Sequence, residues 1–228
     1  PPASGRGGDR MKVRRRLGIG PRRQAQLSRL MQLSLVGFLF VGLYEIDVGI
    51  IVNSAFGLSI TAIPALLERD YEIPMDAGLT LWITAAVFLH AFGTIGLPWM
   101  EVSFYQTVFW WDHLTHALSS SLVAGAGYAT VRAVETRTEQ IDLPAKVTFT
   151  FIIVLVLAFG VLWEVAEFVI AEVSTAIGVK PVLTQYGVGD TMLDLIFNAV
   201  GAVLVGFFGT ARLSDLVDGL RQVAAQRE

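Results

Sequence analysis

Apolar residues along this chain gather into six long runs, at roughly 30–47, 49–67, 78–97, 110–131, 147–171 and 188–210. Each approaches or exceeds the roughly 18 to 20 residues that an α-helix needs to cross a hydrocarbon core about 30 Å thick. The polar breaks between them are short. The first holds Glu45 and Asp47, and the later ones read "ERDYEIPMD", "GLPWMEVSFYQT", "RAVETRTEQIDLPAK" and "STAIGVKPVLTQYGVG". The pattern predicts an all-α membrane protein, a bundle of about six transmembrane helices spanning 30–210. Residues 1–29 read as a basic, flexible N-terminal arm. Residues 211–228 read as a short amphipathic tail with Leu213, Leu216, Val217 and Leu220 on one side.

Composition agrees. The chain has 228 residues, of which 54% are hydrophobic and 16% charged, too apolar a balance for an ordinary soluble domain. There is no cysteine, so disulfides and thiolate metal sites are excluded. No repeat, coiled-coil heptad or nucleic-acid motif is present, and no nucleic-acid partner is expected. Met11 is a candidate natural start, with the first ten residues as upstream sequence. The basic arm before an apolar run also has the outline of a signal peptide, but no small-residue cleavage site precedes "YEID", which favours an uncleaved first span.

The basic residues are strongly segregated. With six spans and the N-terminus inside, sixteen of the seventeen Lys and Arg fall on the inner side, nine of them in residues 1–29, and only Lys180 falls outside. This is the asymmetry of a cytoplasmic-facing surface. The expected location is therefore the plasma membrane, with both termini cytoplasmic. The arm is then placed to meet anionic lipid. Tyr105, Phe109, Trp110 and Trp111 are expected to form an aromatic anchor at the outer surface.

The polar residues inside the spans carry the candidate chemistry. Asp112, His113 and His116 open the fourth run, Glu164 and Glu167 lie near the end of the fifth, and Asp190 and Asp194 begin the sixth, with Asn198 one turn deeper. Alternating helix direction puts all three sets at the outer end of the bundle. Spacings of three and four put each set on one helix face. His90, in the third run, lies deeper and has no companion on its helix. The stripes continue in small residues, Ser120, Gly160, Ala171, Ala202 and Gly206, which let helices approach closely.

The three motifs "FYQTVFWWDHLTH", "LWEVAEF" and "DTMLDLIFNAVGA" resemble those of the uncharacterised YjdF-like family of prokaryotic membrane proteins, over about residues 30–210. They are more distantly similar to the VanZ-like family, whose Asp-Lys-x-x-His start has His113 here in place of the lysine. The resemblance implies a membrane protein and supplies no reaction.

Three functional classes stay open. In the first, Asp112, His113, His116, Glu164, Glu167, Asp190 and Asp194 form an outward-facing site for a divalent metal. Mixed imidazole and carboxylate donors suit Zn, Mn or Fe, and carboxylates alone suit Mg or Ca. Such a site would bind or act on a lipid headgroup or polyprenyl-type substrate, with Glu164 or Glu167 as general base. In the second, the protein is a non-catalytic subunit or scaffold and the cluster is a structural polar network. An ion transporter is the third; the inner halves of the runs carry no second acidic set to continue a path.

Overall fold

The computed structural model of the protein describes residues 19–95, 102–137, 143–183, 185–208 and Val217. Its regular elements are helices: α1 (Pro21–Glu45), α2 (Val48–Tyr71), α3 (Ala77–Thr94), α4 (Phe104–Thr107), α5 (Trp111–Arg137), α6 (Ala145–Ala176) and α7 (Val188–Phe208). Of these, α1, α2, α3, α6 and α7 are long and apolar enough to cross a membrane. Helix α5 has 27 residues but a more polar composition. Its polarity reflects its position, because Thr115, His116, Ser120, Ser121, Ala124 and Ala129 are all buried against neighbouring helices. The lipid-facing residues, such as Leu33, Phe40, Leu162 and Phe207, are large and apolar.

The helices form two groups. Helices α1, α2 and α3 pack on one another, α5, α6 and α7 pack on one another, and α3 meets α5 between them. Within lipid the hydrophobic effect does not drive helices together, so close packing of small residues has to do so. In the first group Gly57 faces Leu35, which is wholly buried, and Gly42 lets Ile50 and Ile51 of α2 approach α1. In the second, α5 and α7 touch at Gly201, where a side chain would collide with the Ala117 carbonyl and the Ser120 hydroxyl. Ala124, Ile152, Val156, Ala202 and Val205 continue that seam as a fully buried core.

Local sequence explains the helix ends. Helix α1 begins at Pro21, a residue pre-set for the first helical turn, after extended Gly20. Residues 21–29 are therefore helical and extend the first span, which corrects the expectation of a flexible arm up to residue 29. The rest of that arm, residues 1–18, and almost all of the tail lie outside the described residues. The turn between α1 and α2 is tight enough to hold Ile46 at φ 55°, a conformation a β-branched residue rarely adopts. Asp47 then caps α2, its Oδ1 accepting from the Ile50 N–H at 3.1 Å. Asp76 caps α3 in the same way, and Ser103 with Gln106 forms a capping box on the short α4.

The expected aromatic anchor divides in two. Phe109 and Trp110 are exposed, whereas Trp111 is buried and Tyr105 partly so. The reason is Gly93 on α3. It leaves room for both rings, and the Trp111 indole donates to the Leu89 carbonyl at 3.2 Å. Phe38, Phe88, Phe92, Phe104 and Trp111 form a continuous series of ring contacts, each between 4.9 and 5.9 Å, that ties α1 and α3 to α4 and α5.

The Gly201 contact sets a stability expectation. Gly201→Leu should destabilise the solubilised protein by about 1–3 kcal/mol or more, through overpacking of α5 against α7. Gly37→Leu, at a glycine with open space around it, should leave the melting temperature nearly unchanged. Similar melting curves for the two variants would refute the close approach of these helices.

Candidate metal centre

The up-and-down order brings the C-terminal ends of α1, α3 and α6 to the same end of the bundle as the N-terminal ends of α2, α5 and α7. Contacts across the groups fix this arrangement. Lys180 Nζ, after α6, lies 3.0 Å from Asp47 Oδ2 before α2, and Asn53 Nδ2 donates to the Val182 carbonyl at 3.2 Å.

At the centre of this end is His116. Its Nε2 lies 3.4 Å from Asp112 Oδ1, 3.9 Å from Glu164 Oε1 and 4.0 Å from Asp194 Oδ1. Thus α5, α6 and α7 each contribute a carboxylate around one imidazole nitrogen. Two sets of three possible ligands result, Asp112–His116–Asp194 and His116–Glu164–Glu167. Both need the same histidine. One imidazole nitrogen holds one metal, so an ion at this nitrogen belongs to one set or lies between them.

Several of these groups are held by neighbouring side chains. Glu164 Oε2 accepts from Thr191 Oγ1 at 2.8 Å, and Thr191 in turn accepts from Gln185 Nε2 at 3.0 Å. Glu167 Oε1 accepts from the Trp163 indole at 2.8 Å, one helical turn earlier on the same face. The Asn198 amide fills the space opposite Gly160, where a side chain would come within 2.5 Å of Asn198 Nδ2. His113 stacks flat on Phe197, with centroids 4.5 Å apart, and approaches Asp194 Oδ1 at 3.4 Å. It therefore flanks the cluster and is absent from both ligand sets. Asp190 is also absent from them; its Oδ2 accepts from the Tyr186 N–H at 3.3 Å and closes the turn leading into α7.

Four buried side-chain oxygens lack a hydrogen-bond partner among the described residues, and one of them belongs to the cluster. Glu164 is 4% exposed, and its Oε1 has no hydrogen-bond partner among the described residues. That oxygen is the one turned toward His116. The spacings around His116 are longer than the 2.7–3.2 Å usual for an N–H···O hydrogen bond. The shortest, 3.4 Å, is close to the edge of a metal coordination shell, since donors about 2.0–2.1 Å from a tetrahedral zinc stand about 3.3 Å apart, and the other two are longer.

His90 is better connected than its lone position on α3 suggested. Asn53 Nδ2 donates to two carbonyls, of Gly49 and Val182, which leaves Asn53 Oδ1 to accept from His90 Nε2 at 3.1 Å. The His90 proton is therefore on Nε2, and Nδ1 accepts from the Tyr105 hydroxyl at 2.9 Å. Tyr105 also lies 3.4 Å from Thr115 Oγ1, and Thr115 donates to the Asp112 carbonyl. This chain links α2 and α3 to the first turn of α5. As site residues, sequence reading missed Asn53, Tyr105, Lys180 and Gln185, which come from loops or other helices, and Thr191, which follows Asp190 on α7. Trp163, four residues before Glu167, was within reach of the spacing argument.

A cavity of about 780 Å³ opens beside the cluster, between the two helix groups. Asp112, His116 and Glu167 are part of its lining, and His90 and Lys180 contribute to its walls. Glu164 and Asp194 do not reach it and lie behind His116.

Outside the spans, the electrostatics of this end are set by burial and by the carboxylates. Burial alone would push the Asp47 carboxyl up, but hydrogen bonds from the Ile50 N–H and from Lys180 outweigh it and hold the group below its ordinary value of 3.8. Burial, reinforced by Asp112, Asp190 and Glu167, raises the Tyr186 phenol, and burial likewise raises Tyr105. Both phenols therefore stay protonated at neutral pH.

This end of the bundle and its buried histidine–carboxylate cluster define a class, a helical membrane protein with an ionisable site at one end. Residues 27–215 match the family described as "Predicted membrane protein (DUF2238)", and the chain belongs to that family. An uncharacterized protein of Thermotoga maritima is 31% identical over 138 residues, which is 60% of this chain and 65% of that protein's length. The chain thus spans just under two thirds of that relative. No solved structure matches.

The Asp47–Lys180 pair has a signed pH dependence. A carboxyl depressed in the folded state adds stability above its unfolded pKa and loses it as pH falls through the folded value. Between about pH 5 and pH 3 the melting temperature of the wild type should therefore fall more steeply than that of Asp47→Asn. Parallel curves would show that the pair adds no linkage.

Proposed function

We propose that this protein is a divalent-cation-dependent membrane protein that binds or acts on a lipid headgroup or polyprenyl-type substrate at the outer face of the plasma membrane. The observation that carries the reading is the buried, unpaired Glu164 Oε1, directed at an imidazole nitrogen that already has two other carboxylate oxygens within 4.0 Å. A buried carboxylate oxygen without a partner is costly. A cation held by His116 and Glu164, with Asp112 and Asp194 close to the same nitrogen, removes that cost and neutralises the crowded charge. Zn, Mn or Fe suits one imidazole with several carboxylates, and Mg remains compatible through the oxygens.

Asp112 and His116 line the cavity, which gives the ion an open side, as catalytic sites require and closed structural sites do not. The ion would polarise a phosphoryl or carbonyl oxygen. Glu167 lines the same cavity and is oriented by Trp163, so it is better placed than Glu164 to accept a proton. Glu164 serves as a ligand in this reading.

The bonds from Thr191 to Glu164 and from Trp163 to Glu167 also suit a purely structural network, and metal analysis separates the two readings. Purified protein should carry a divalent ion that His116→Ala and Glu164→Gln lose. Chelator should lower the melting temperature of the wild type only, and an ion at 100 times its dissociation constant should restore about 2.7 kcal/mol. Metal-free protein whose melting temperature ignores both ion and chelator would favour the network.

Orientation follows from the charge asymmetry of the sequence. Cysteine introduced at Val179, beside the site, should label from outside intact cells, and cysteine at Lys146 should be protected. The basic arm then faces the cytoplasm, where its binding to anionic liposomes should weaken as salt rises. External labelling at Lys146 would invert the site to the cytoplasmic side.

A further inference from the structure

The cavity has a second property that the ion reading does not use. Part of its wall is apolar, with Phe38 and Val41 from α1, Phe92 from α3 and Val102 ahead of α4. Two of these, Val41 and Val102, are 42% and 41% exposed, and Val41 is flanked on α1 by the exposed Phe40 and Tyr44. On α1 the apolar part of the wall therefore adjoins an exposed apolar surface. Asp112, His116 and Glu167 also line the cavity, as does Lys180, whose side chain is largely exposed. Asp47 accepts one of the three ammonium protons of Lys180, and among the described residues nothing accepts the others.

We propose that the cavity takes a phosphate-headed amphiphile, admitted sideways from the bilayer past Val41 and Val102. Its phosphoryl oxygens sit between the cation at His116 and the ammonium of Lys180, and its chain lies along Phe38 and Phe92. The proposal rests on the cation reading above and adds the ligand class, its second contact and its route of entry. The volume of about 780 Å³ is within the range of pockets that enclose a ligand of a few tens of atoms, enough for a headgroup and the start of a tail. A phosphoryl group is the headgroup with enough oxygens to meet both positive centres, and hard divalent ions prefer such oxygens.

Charge fixes the order of binding. Glu45, Asp47, Asp112 and Glu167 all line the cavity, against the single lysine. A phosphate is repelled by that set until the cation is in place. Amphiphile binding should therefore require metal, and a cationic amphiphile should gain nothing from it.

The test uses the full-length protein in a neutral detergent, loaded with Mn²⁺ and freed of unbound ion, its manganese content measured by elemental analysis. The probe is decyl phosphate, read by paramagnetic broadening of its ³¹P line, with Mg²⁺-loaded protein as the diamagnetic reference. Broadening should be at least tenfold greater than that of inorganic phosphate at equal concentration. It should disappear in His116→Ala and weaken several-fold in Lys180→Ala. Val41→Arg and the milder Val41→Trp should keep the manganese and lose the decyl phosphate signal.

Protein that retains no manganese would sink the cation reading and this proposal with it. Manganese-loaded protein that broadens decyl phosphate no more than His116→Ala does would overturn the proposal alone. Equal broadening by inorganic phosphate would identify a free-phosphate site in its place. Decanoate that displaces decyl phosphate at equal concentration would overturn the phosphoryl class. Unchanged binding in both Val41 variants would overturn the lateral route.

Discussion

Crowding of negative charge around one imidazole is the constraint on which this end of the molecule depends. Three carboxylates from three helices converge on His116, and two of them, Glu164 and Asp194, are almost wholly buried. In a medium of low dielectric such groups cannot all stay charged without compensation. The surrounding side chains supply part of it. Thr191 bonds Glu164, Trp163 bonds Glu167 and His113 approaches Asp194, and the oxygen of Glu164 left unpaired points inward, toward His116.

That position exists only because the helices come very close together. Gly201 brings α7 against α5, and Gly160 makes room for Asn198 between α6 and α7. The same seam carries the buried core of small and β-branched residues further along the bundle. Packing and site are thus one structure: the contacts that replace a hydrophobic driving force in lipid also set the spacing of the donors. The other helix group is tied on by aromatic rings and by the Asn53–His90–Tyr105 chain, which leaves a cavity between the groups.

The spans and the depth of the polar residues were legible from the sequence because both follow from one-dimensional counting. Apolar length gives the helices. Alternating direction gives the shared end, and steps of three and four put Asp112 with His116, Glu164 with Glu167, and Asp190 with Asp194. Counting could not reach what depends on rotation about helix axes. It could not separate Asp194, turned inward, from Asp190, which closes a turn, or His116 from His113, which stacks on Phe197. Nor could it foresee that Trp111 and Tyr105 would fold inward, since that depends on the space at Gly93 on another helix. His90 seemed isolated for the same reason: its partners are 37 and 15 residues away and belong to α2 and α4.

The indole of Trp163 gives the protein an internal optical reporter. Its N–H rests on Glu167, its ring stands edge-on to His90 with centroids 5.9 Å apart, and Glu167 lines the cavity. Whatever draws Glu167 toward a bound group also removes the acceptor from the indole, and indole emission is sensitive to that loss. Occupancy of the cavity should therefore shift the emission of Trp163, read as the difference between the wild type and Trp163→Phe, since the chain holds five tryptophans.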